Sequence, residues 1–244
     1  MFTDICLMHI LLAAATSFEI QPSIDLLKAR EYPSGNQGHP SPNQLSSPGH
    51  QLPSPALHDI DILLTGIGSI STVHALMSQV GRRRPDLVIQ AGIAGSFIPG
   101  QKGKVMAIKE EALGDLGVYE DGTFRNIFDL KLSDPNAFPF TNGLLVNPHQ
   151  HWLDLTGLPA VRALTINEIS TDRARIDWYQ QNIAPVVESM EGGALHYTCL
   201  KEDIPFLQLR SVSNDVGQRD KSKWDFRSSI AHLNEALVNI INKL

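Results

Sequence analysis

The segment PDLVIQAGIAG (Pro85–Gly95) is an apolar run that passes into small residues at its end. Its length, its β-branched residues and the proline and glycines at its ends are typical of a strand that is buried on both faces. Runs of the same character recur along the chain. They are DILLTGIG (61–68), GKVMAIKEEAL (103–113), PAVRALTINEIS (159–170) and IPFLQLRSVSN (204–214).

Helical patterns lie between these predicted strands, in STVHALMSQVGR (71–82) and MEGGALHYTCLKE (190–202). The clearest helix is the last one, in which apolar residues recur at intervals of three and four and form a single stripe. These residues are Phe226, Ile230, Leu233, Leu237, Ile240 and Leu244. The stripe is expected to pack on a sheet or on another subunit. Alternating strands and helices predict an α/β fold with helices on both faces of the sheet.

Two segments need separate interpretation. ICLMHILLAAA (Ile5–Ala15) is apolar, but no Lys or Arg precedes Lys28, and the run is too short to span a bilayer. We interpret it as a buried first strand, which favours a cytoplasmic protein and no membrane partner. The second segment, 31–59, is rich in Pro, Gly, Ser, Asn and Gln and lacks an apolar period. It is expected to be a long polar insertion, either disordered or a lid.

Composition narrows the class of protein. A chain of 244 residues, of which 42% are hydrophobic, is expected to form one domain with a substantial core. A formal net charge of −6 argues against a nucleic-acid partner and favours a small ligand. The two cysteines, Cys6 and Cys199, are far apart and have no metal-ligand spacing, so no metal site is expected.

Several polar or small residues follow the predicted strands. AGIAGS (Ala91–Ser96) is predicted to be a turn that lets a ligand approach the backbone, although a plain tight turn fits equally well. Glu19 follows the first strand, where a glutamate is often only solvated or capping. Glu188 and Glu191 are three residues apart and are expected to share one face of a helical turn, as caps or as acceptors for sugar hydroxyls.

The stretch RSVSNDVGQRDKSKW (Arg210–Trp224) places an amide beside a carboxylate, Asn214 and Asp215, at a strand end. Either side chain could cap the final helix, because Asn and Asp satisfy free N–H groups at helix starts. One of them could instead point into a ligand pocket at the carboxyl end of the strand. Asp215 or Asp220 is the better candidate for fixing the turn or capping the last helix.

The order of these motifs resembles that of the nucleoside phosphorylase and nucleosidase family over nearly the whole chain. The motifs are AAATSFE, TGIG, IQAGIAGS, NEIST, ESMEGGAL and IPFLQLRSVSN. The resemblance is greatest to a hydrolytic branch of the family. It implies a single-domain, three-layer α/β/α fold with a central mixed, twisted sheet, and a homodimer or higher homo-oligomer. It also implies a purine nucleoside as the small-molecule substrate, and neither cofactor nor metal.

The resemblance implies a role for each matching residue. Glu191 would bind the ribose 2′ and 3′ hydroxyls while Met190 packs under the sugar, and Glu19 would activate water. Gly92, Ala94 and Gly95 would bring backbone close to the nucleophile. Asn214 would face N7 and the C6 substituent of the purine, and Glu168 and Ile169 would line the base, with Glu168 accepting N1–H of an oxopurine.

The amide favours a 6-oxopurine, because O6 and N7 are both acceptors and an Asn NH₂ can donate to them. If the match slips by one residue, Asp215 takes this place and adenine becomes the preferred base. Water is favoured over phosphate as the nucleophile, because the sequence near Glu19 and Ala94 contains neither Lys nor Arg. A nucleoside-binding protein without catalysis is the remaining alternative, and the presence of both Glu19 and Glu191 argues against it.

Overall fold

The computed structural model describes residues 7–31, 58–120 and 123–244. Its strands are β1 His9–Ala14, β2 Asp59–Leu64, β3 Leu87–Ser96, β4 Val105–Leu113, β5 Gly117–Glu120, β6 Thr123–Asn126, β7 Phe140–Thr141, β8 Leu144–Val146, β9 Ala160–Thr165, β10 Val187–Ser189 and β11 Phe206–Asp215. Its helices are α1 Ser17–Glu31, α2 Ser69–Arg82, α3 Gln150–Thr156, α4 Arg173–Asn182, α5 Gly192–Lys201 and α6 Phe226–Ile241.

The main sheet is mixed and closes on itself. β3 pairs with β10 and β11, and β4 pairs with β9 and β11, while β9 and β10 pair with each other. These five strands therefore form a ring. β1 and β2 extend it from β3, and β8 and β7 extend it from β4. Because β3–β11 is parallel and β4–β11 is antiparallel, the predicted mixed sheet is confirmed.

Helices cover both faces of this sheet. On one face α1 and α6 pack together, and Ile20, Leu233 and Leu237 join a core that includes Leu207 and Leu209 of β11. The apolar stripe of α6 therefore packs on the sheet. On the other face α2 and α5 cover a second core, in which Leu76 and Leu195 meet Phe206. The predicted three-layer arrangement is confirmed.

Local structure differs from prediction at three places. The segment Ala91–Ser96 is not a turn, because β11 pairs with β3 to its end, with Asp215 opposite Ser96. Glu188 lies on β10, so it does not share a helical turn with Glu191, which is the N-cap residue of α5.

The predicted helix cap also differs. The last helix is capped by Asp225, whose side chain accepts a hydrogen bond from the Ser228 N–H, and not by Asp215 or Asp220. Asp220 instead caps a short 3₁₀ turn at Lys221–Lys223.

Most of the predicted insertion, 31–59, lies outside the described residues, which resume at position 58 after α1. Among the described helices, none combines the length and the hydropathy that crossing a bilayer requires.

Candidate active site

A cavity of about 310 Å³ opens where β1, β3 and β11 end and α1, α5 and α6 begin. Seven of the nine residues predicted for the site lie in its wall. They are Glu19, Ala94, Gly95, Ile169, Met190, Glu191 and Asn214. Further apolar and aromatic residues complete the wall, including Phe18, Ile67, Trp224 and Phe226.

Glu19 lies in the first turn of α1, just beyond the strand end where it was predicted, and is 7% exposed. Its Oε2 accepts from the Thr16 N–H at 3.1 Å, and its Oε1 accepts from the Ile93 N–H at 3.1 Å. Burial raises the pKa of Glu19, and the nearby positive charge of Arg210 partly opposes that increase. The carboxylate is thereby held rigidly with reduced solvation, which suits a general base.

Arg210 lies close to both Glu19, the predicted base, and Glu191, the predicted ribose-binding carboxylate. Its side chain is buried, with Nη1 3.5 Å from Oε2 of Glu191 and Nη2 donating to Oε1 of Gln90 at 2.9 Å. Arg210 was not among the residues predicted from sequence. The available signal was a single cation inside the apolar run FLQLRSVS, which requires a buried anionic or polar partner.

Gly92 does not line the cavity but makes this arrangement possible. A Cβ atom at Gly92 would collide with the guanidinium of Arg210 and lie 2.9 Å from Oε1 of Glu19. Only a glycine therefore leaves room for the arginine to approach both carboxylates.

Glu191 is fixed from a second side by the TGIG segment. The Gly68 N–H donates to its Oε1 at 3.0 Å, and Gly68 has a φ of 88°, in the left-handed region that favours glycine. The Glu191 carboxylate thus accepts from a backbone N–H on one oxygen and faces a guanidinium with the other. Such fixed acceptors bind sugar hydroxyls well.

Asn214 and Asp215 point to different places. Asn214 lines the cavity, where its Oδ1 accepts from the Ser213 hydroxyl at 2.8 Å and its Nδ2 donates to the Asp215 carbonyl at 3.0 Å. Since an amide nitrogen carries two protons, a second N–H remains to donate to a ligand. Asp215 lines a separate cavity with Phe97 and Gln180. This opposition follows from the alternation of side chains along β11.

Glu168 and Ile169, which were expected to line the base, also point to different places. Ile169 lies in the cavity wall, whereas the Glu168 side chain is 84% exposed and lies 3.7 Å from Nη1 of Arg175, outside the wall. A different carboxylate lines the cavity, that of Glu188, which accepts from the Ser170 N–H at 3.3 Å. Burial raises the pKa of Glu188.

A second layer of buried polar groups supports α5. Glu111 is fully buried, and its Oε1 accepts from the Thr165 hydroxyl at 2.8 Å. The Thr165 oxygen in turn accepts from the Gly193 N–H at 2.7 Å, which satisfies a free donor at the start of the helix that carries Glu191. Burial raises the pKa of Glu111 to about 7. Burial also lowers the pKa of the nearby His196, to about 4.

No set of three or more His, Cys, Asp or Glu side chains in the described part of the chain is arranged to hold a metal ion. Cys199 is buried, and burial raises the pKa of its thiol; Cys6 lies outside the described residues.

The fold and the cavity define an α/β protein that presents buried carboxylates and one amide to a small ligand. The chain belongs to the phosphorylase superfamily, whose model matches residues 57–244. Among curated relatives, a futalosine hydrolase from Streptomyces coelicolor is 29% identical over 94% of each chain. A futalosine hydrolase from Acidothermus cellulolyticus is 30% identical over 72% of each.

A second group of relatives has a different name. A 5′-methylthioadenosine/S-adenosylhomocysteine nucleosidase from Tolumonas auensis is 27% identical over 73% of this chain and 78% of its own length. Solved structures show the same fold. The native futalosine hydrolase of Helicobacter pylori has a TM-score of 0.74 at 14% identity, covering 98% of this chain and 99% of its own. The Colwellia psychrerythraea nucleosidase in complex with adenine has a TM-score of 0.71 at 17% identity, covering 97% and 96%.

Proposed function

We propose that the chain is an N-glycosidase that hydrolyses futalosine to hypoxanthine and dehypoxanthine futalosine. The names of its curated relatives support this activity, since futalosine hydrolases match it at 27–30% identity. The observation that carries the proposal is the cavity itself, which combines a buried candidate base with a ribose acceptor and an amide suited to a 6-oxopurine.

The chemistry follows from the bond that breaks. Cleavage of an N-glycosidic bond places positive charge on the ribosyl ring and negative charge on the departing base, so both ends require stabilisation. Glu191 orients the ribose hydroxyls and stabilises the cation-like ring. Glu19 removes a proton from water as the water attacks the anomeric carbon. The free N–H of Asn214 donates to N7 or O6 as the base acquires negative charge.

The charges around the cavity favour water over phosphate. Three carboxylates line it, from Glu19, Glu188 and Glu191, and among the described residues of the wall there is no Lys or Arg. The nearest buried cation, Arg210, is occupied by Glu191 and Gln90. A phosphate anion would be repelled by the carboxylates without gaining a cationic partner, whereas a neutral water molecule is not.

The decisive experiment is chromatographic detection of the base released in phosphate-free buffer from futalosine, inosine and 5′-methylthioadenosine. Hypoxanthine from futalosine is the expected product. Strict dependence on added phosphate would replace the hydrolase with a phosphorylase. Binding of these nucleosides without release of any base would indicate a protein without catalysis.

The runner-up is a methylthioadenosine/S-adenosylhomocysteine nucleosidase, because relatives with that name also match this chain. Faster release of adenine from 5′-methylthioadenosine than of hypoxanthine from futalosine would establish it. With futalosine as substrate, the protein would act in the alternative menaquinone pathway, in the cytoplasm. We also propose a homodimer or higher homo-oligomer, as the family resemblance implies.

A further inference from the structure

Futalosine carries a benzoate-bearing tail, and the charges of the cavity restrict where the carboxylate of this tail can lie. The interior presents the carboxylates of Glu19, Glu188 and Glu191. A further carboxylate placed among them would be repelled and desolvated. The tail must therefore turn its carboxylate outward, while its ring can lie against an apolar wall.

The wall offers such a surface on one side. Three aromatic side chains, Phe18, Phe226 and Trp224, form a continuous row, with ring centroids 6.1 Å apart for the first pair and 5.3 Å for the second. Phe18, next to Glu19, forms one end of the row and is 60% exposed, and Trp224 forms the other end. An aryl group gains both apolar burial and edge or stacking contacts on a surface of this kind.

An exposed cation, Arg219, lies at the Trp224 end of the row. The Arg219 guanidinium lies over the Trp224 ring, 5.9 Å from its centroid, within the range of a cation–π contact. The indole is itself fixed, because its Nε1–H donates to the Gln218 carbonyl at 2.8 Å. The guanidinium therefore lies over a ring that is itself held in place.

The charge of Arg219 is available to a ligand. Its neighbour Asp220 uses its carboxylate to accept from the Ser222 N–H and hydroxyl. The segment also carries Lys221 and Lys223, so its local charge is positive. Among the described residues, no carboxylate forms an ion pair with Arg219.

We infer that Arg219, stacked on Trp224, forms a subsite for the carboxylate of an aryl tail attached to the substrate ribose. This inference rests on the proposed function for the identity of the tail. The subsite selects a nucleoside whose 5′ substituent ends in an aryl carboxylate over one with a neutral substituent, because a guanidinium pairs with a carboxylate through two parallel hydrogen bonds.

The test uses two synthetic nucleosides that differ only in one carboxylate, 5′-(carboxyphenylthio)-5′-deoxyinosine and its 5′-phenylthio counterpart. Their dissociation constants are measured by calorimetry on the Glu19→Gln protein, with and without Arg219→Gln. We expect the carboxylate compound to bind about 5- to 10-fold more tightly when Arg219 is present, as for one exposed charge-assisted contact. The ratio should fall to about 1 in the Arg219→Gln protein.

Two controls separate this contact from general electrostatics. Arg82→Gln makes the same charge change in the last turn of α2, about 20 Å along that helix from its start beside Glu191, and should preserve the ratio. Arg219→Lys keeps the charge without the planar fork and should preserve part of it. The preference should also shrink as NaCl increases, but only in the proteins that retain a cation at this position.

An equal ratio with Arg219 and with Gln at this position would overturn the subsite, as would binding of neither nucleoside. The proposed function is tested by a separate result. If the wild-type protein releases no hypoxanthine from futalosine while the Arg219-dependent preference persists, the subsite stands and the assigned reaction does not.

Discussion

The Arg210 guanidinium occupies the space that a Cβ atom on Gly92 would need, and this close approach lets Arg210 reach Glu191. We predict that Gly92→Ala lowers kcat/KM by about 10²-fold or more, since a displacement of about 1 Å at a reacting group has that effect. Overpacking should also reduce the free energy of unfolding by about 1–3 kcal/mol. Steady-state kinetics and urea unfolding measure the two effects.

Gly81→Ala is the matched control for that substitution. Gly81 lies within α2, and a Cβ atom there would meet nothing within 4 Å. Alanine should leave kcat/KM unchanged and stabilise the protein by about 0.5–1 kcal/mol, because glycine is the poorer helix former. Similar kinetic losses in both variants would contradict the role assigned to Gly92.

Glu19→Gln tests the candidate base. The substitution preserves shape and removes the basic oxygen, so kcat should fall by about 10²- to 10⁴-fold while substrate binding persists. Undiminished turnover would remove Glu19 from the mechanism. Glu235→Gln, the same chemical change on the exposed face of α6, is the control and should leave kcat unchanged.

The acid limb of the pH profile tests the same residue independently. The base must be ionised, and burial raises the pKa of Glu19 above the ordinary glutamate value of 4.5. As pH falls, wild-type kcat should therefore decline through an apparent pKa above that value. A decline that begins only well below pH 4.5 would show that another group limits the reaction.

The strands and helices that form this site could be predicted from the sequence because buried elements have a characteristic pattern of apolar residues. Apolar runs identified β1, β3, β4, β9 and β11, and the spacing in the last segment identified α6. The small residues of Ala91–Ser96 were misleading as a turn signal. Their size reflects the close approach of Arg210 at Gly92 and of Asn214 at Gly95, and strand pairing to β11 keeps them extended.

Contacts between distant segments left no such pattern. Arg210 is 191 positions from Glu19 and 19 from Glu191, so its place behind both carboxylates follows only from the closure of the sheet. The position of Glu188 on β10 likewise depends on pairing with β3 and β9, which no local periodicity encodes in a three-residue strand. These are tertiary effects that override local preference.

Glu111 and His196 should make stability depend on pH in opposite ways. The folded-state pKa of Glu111 is raised from 4.5 to about 7, so its contribution is present below pH 4.5 and is lost as pH rises to about 7. The folded-state pKa of His196 is lowered from 6.5 to about 4, so its contribution is present above pH 6.5 and is lost as pH falls to about 4. Between pH 4.5 and 6.5, where the two ranges overlap, the two effects oppose each other in the wild-type protein.

Glu111→Gln removes the pH-dependent contribution of Glu111 and leaves that of His196. The free energy of unfolding of the variant, relative to that of wild type, should increase by about 3 kcal/mol as pH rises from 4.5 to 7. Each pKa unit corresponds to about 1.4 kcal/mol. Urea unfolding across this range measures the difference. Asp225→Asn is the control, because the pKa of this capping carboxylate is lowered, so its stabilising effect changes only below about pH 4 and the difference from wild type should be constant between pH 4.5 and 7. A pH-independent difference for Glu111→Gln would contradict a buried, neutral carboxyl group.

Asn214→Asp tests how the base is selected. A 6-oxopurine offers acceptors at O6 and N7 to the Asn amide, whereas a protonated Asp donates to N7 and accepts from the C6 amine of adenine. The ratio of kcat/KM for futalosine to that for 5′-methylthioadenosine should therefore fall by about 10- to 100-fold, the effect of one or two mismatched hydrogen bonds. Asp215→Asn is the matched control, because Asp215 lines a separate cavity and its substitution should leave the ratio unchanged. An unchanged ratio for Asn214→Asp, or a shift produced by Asp215→Asn, would mean that Asn214 does not select the base.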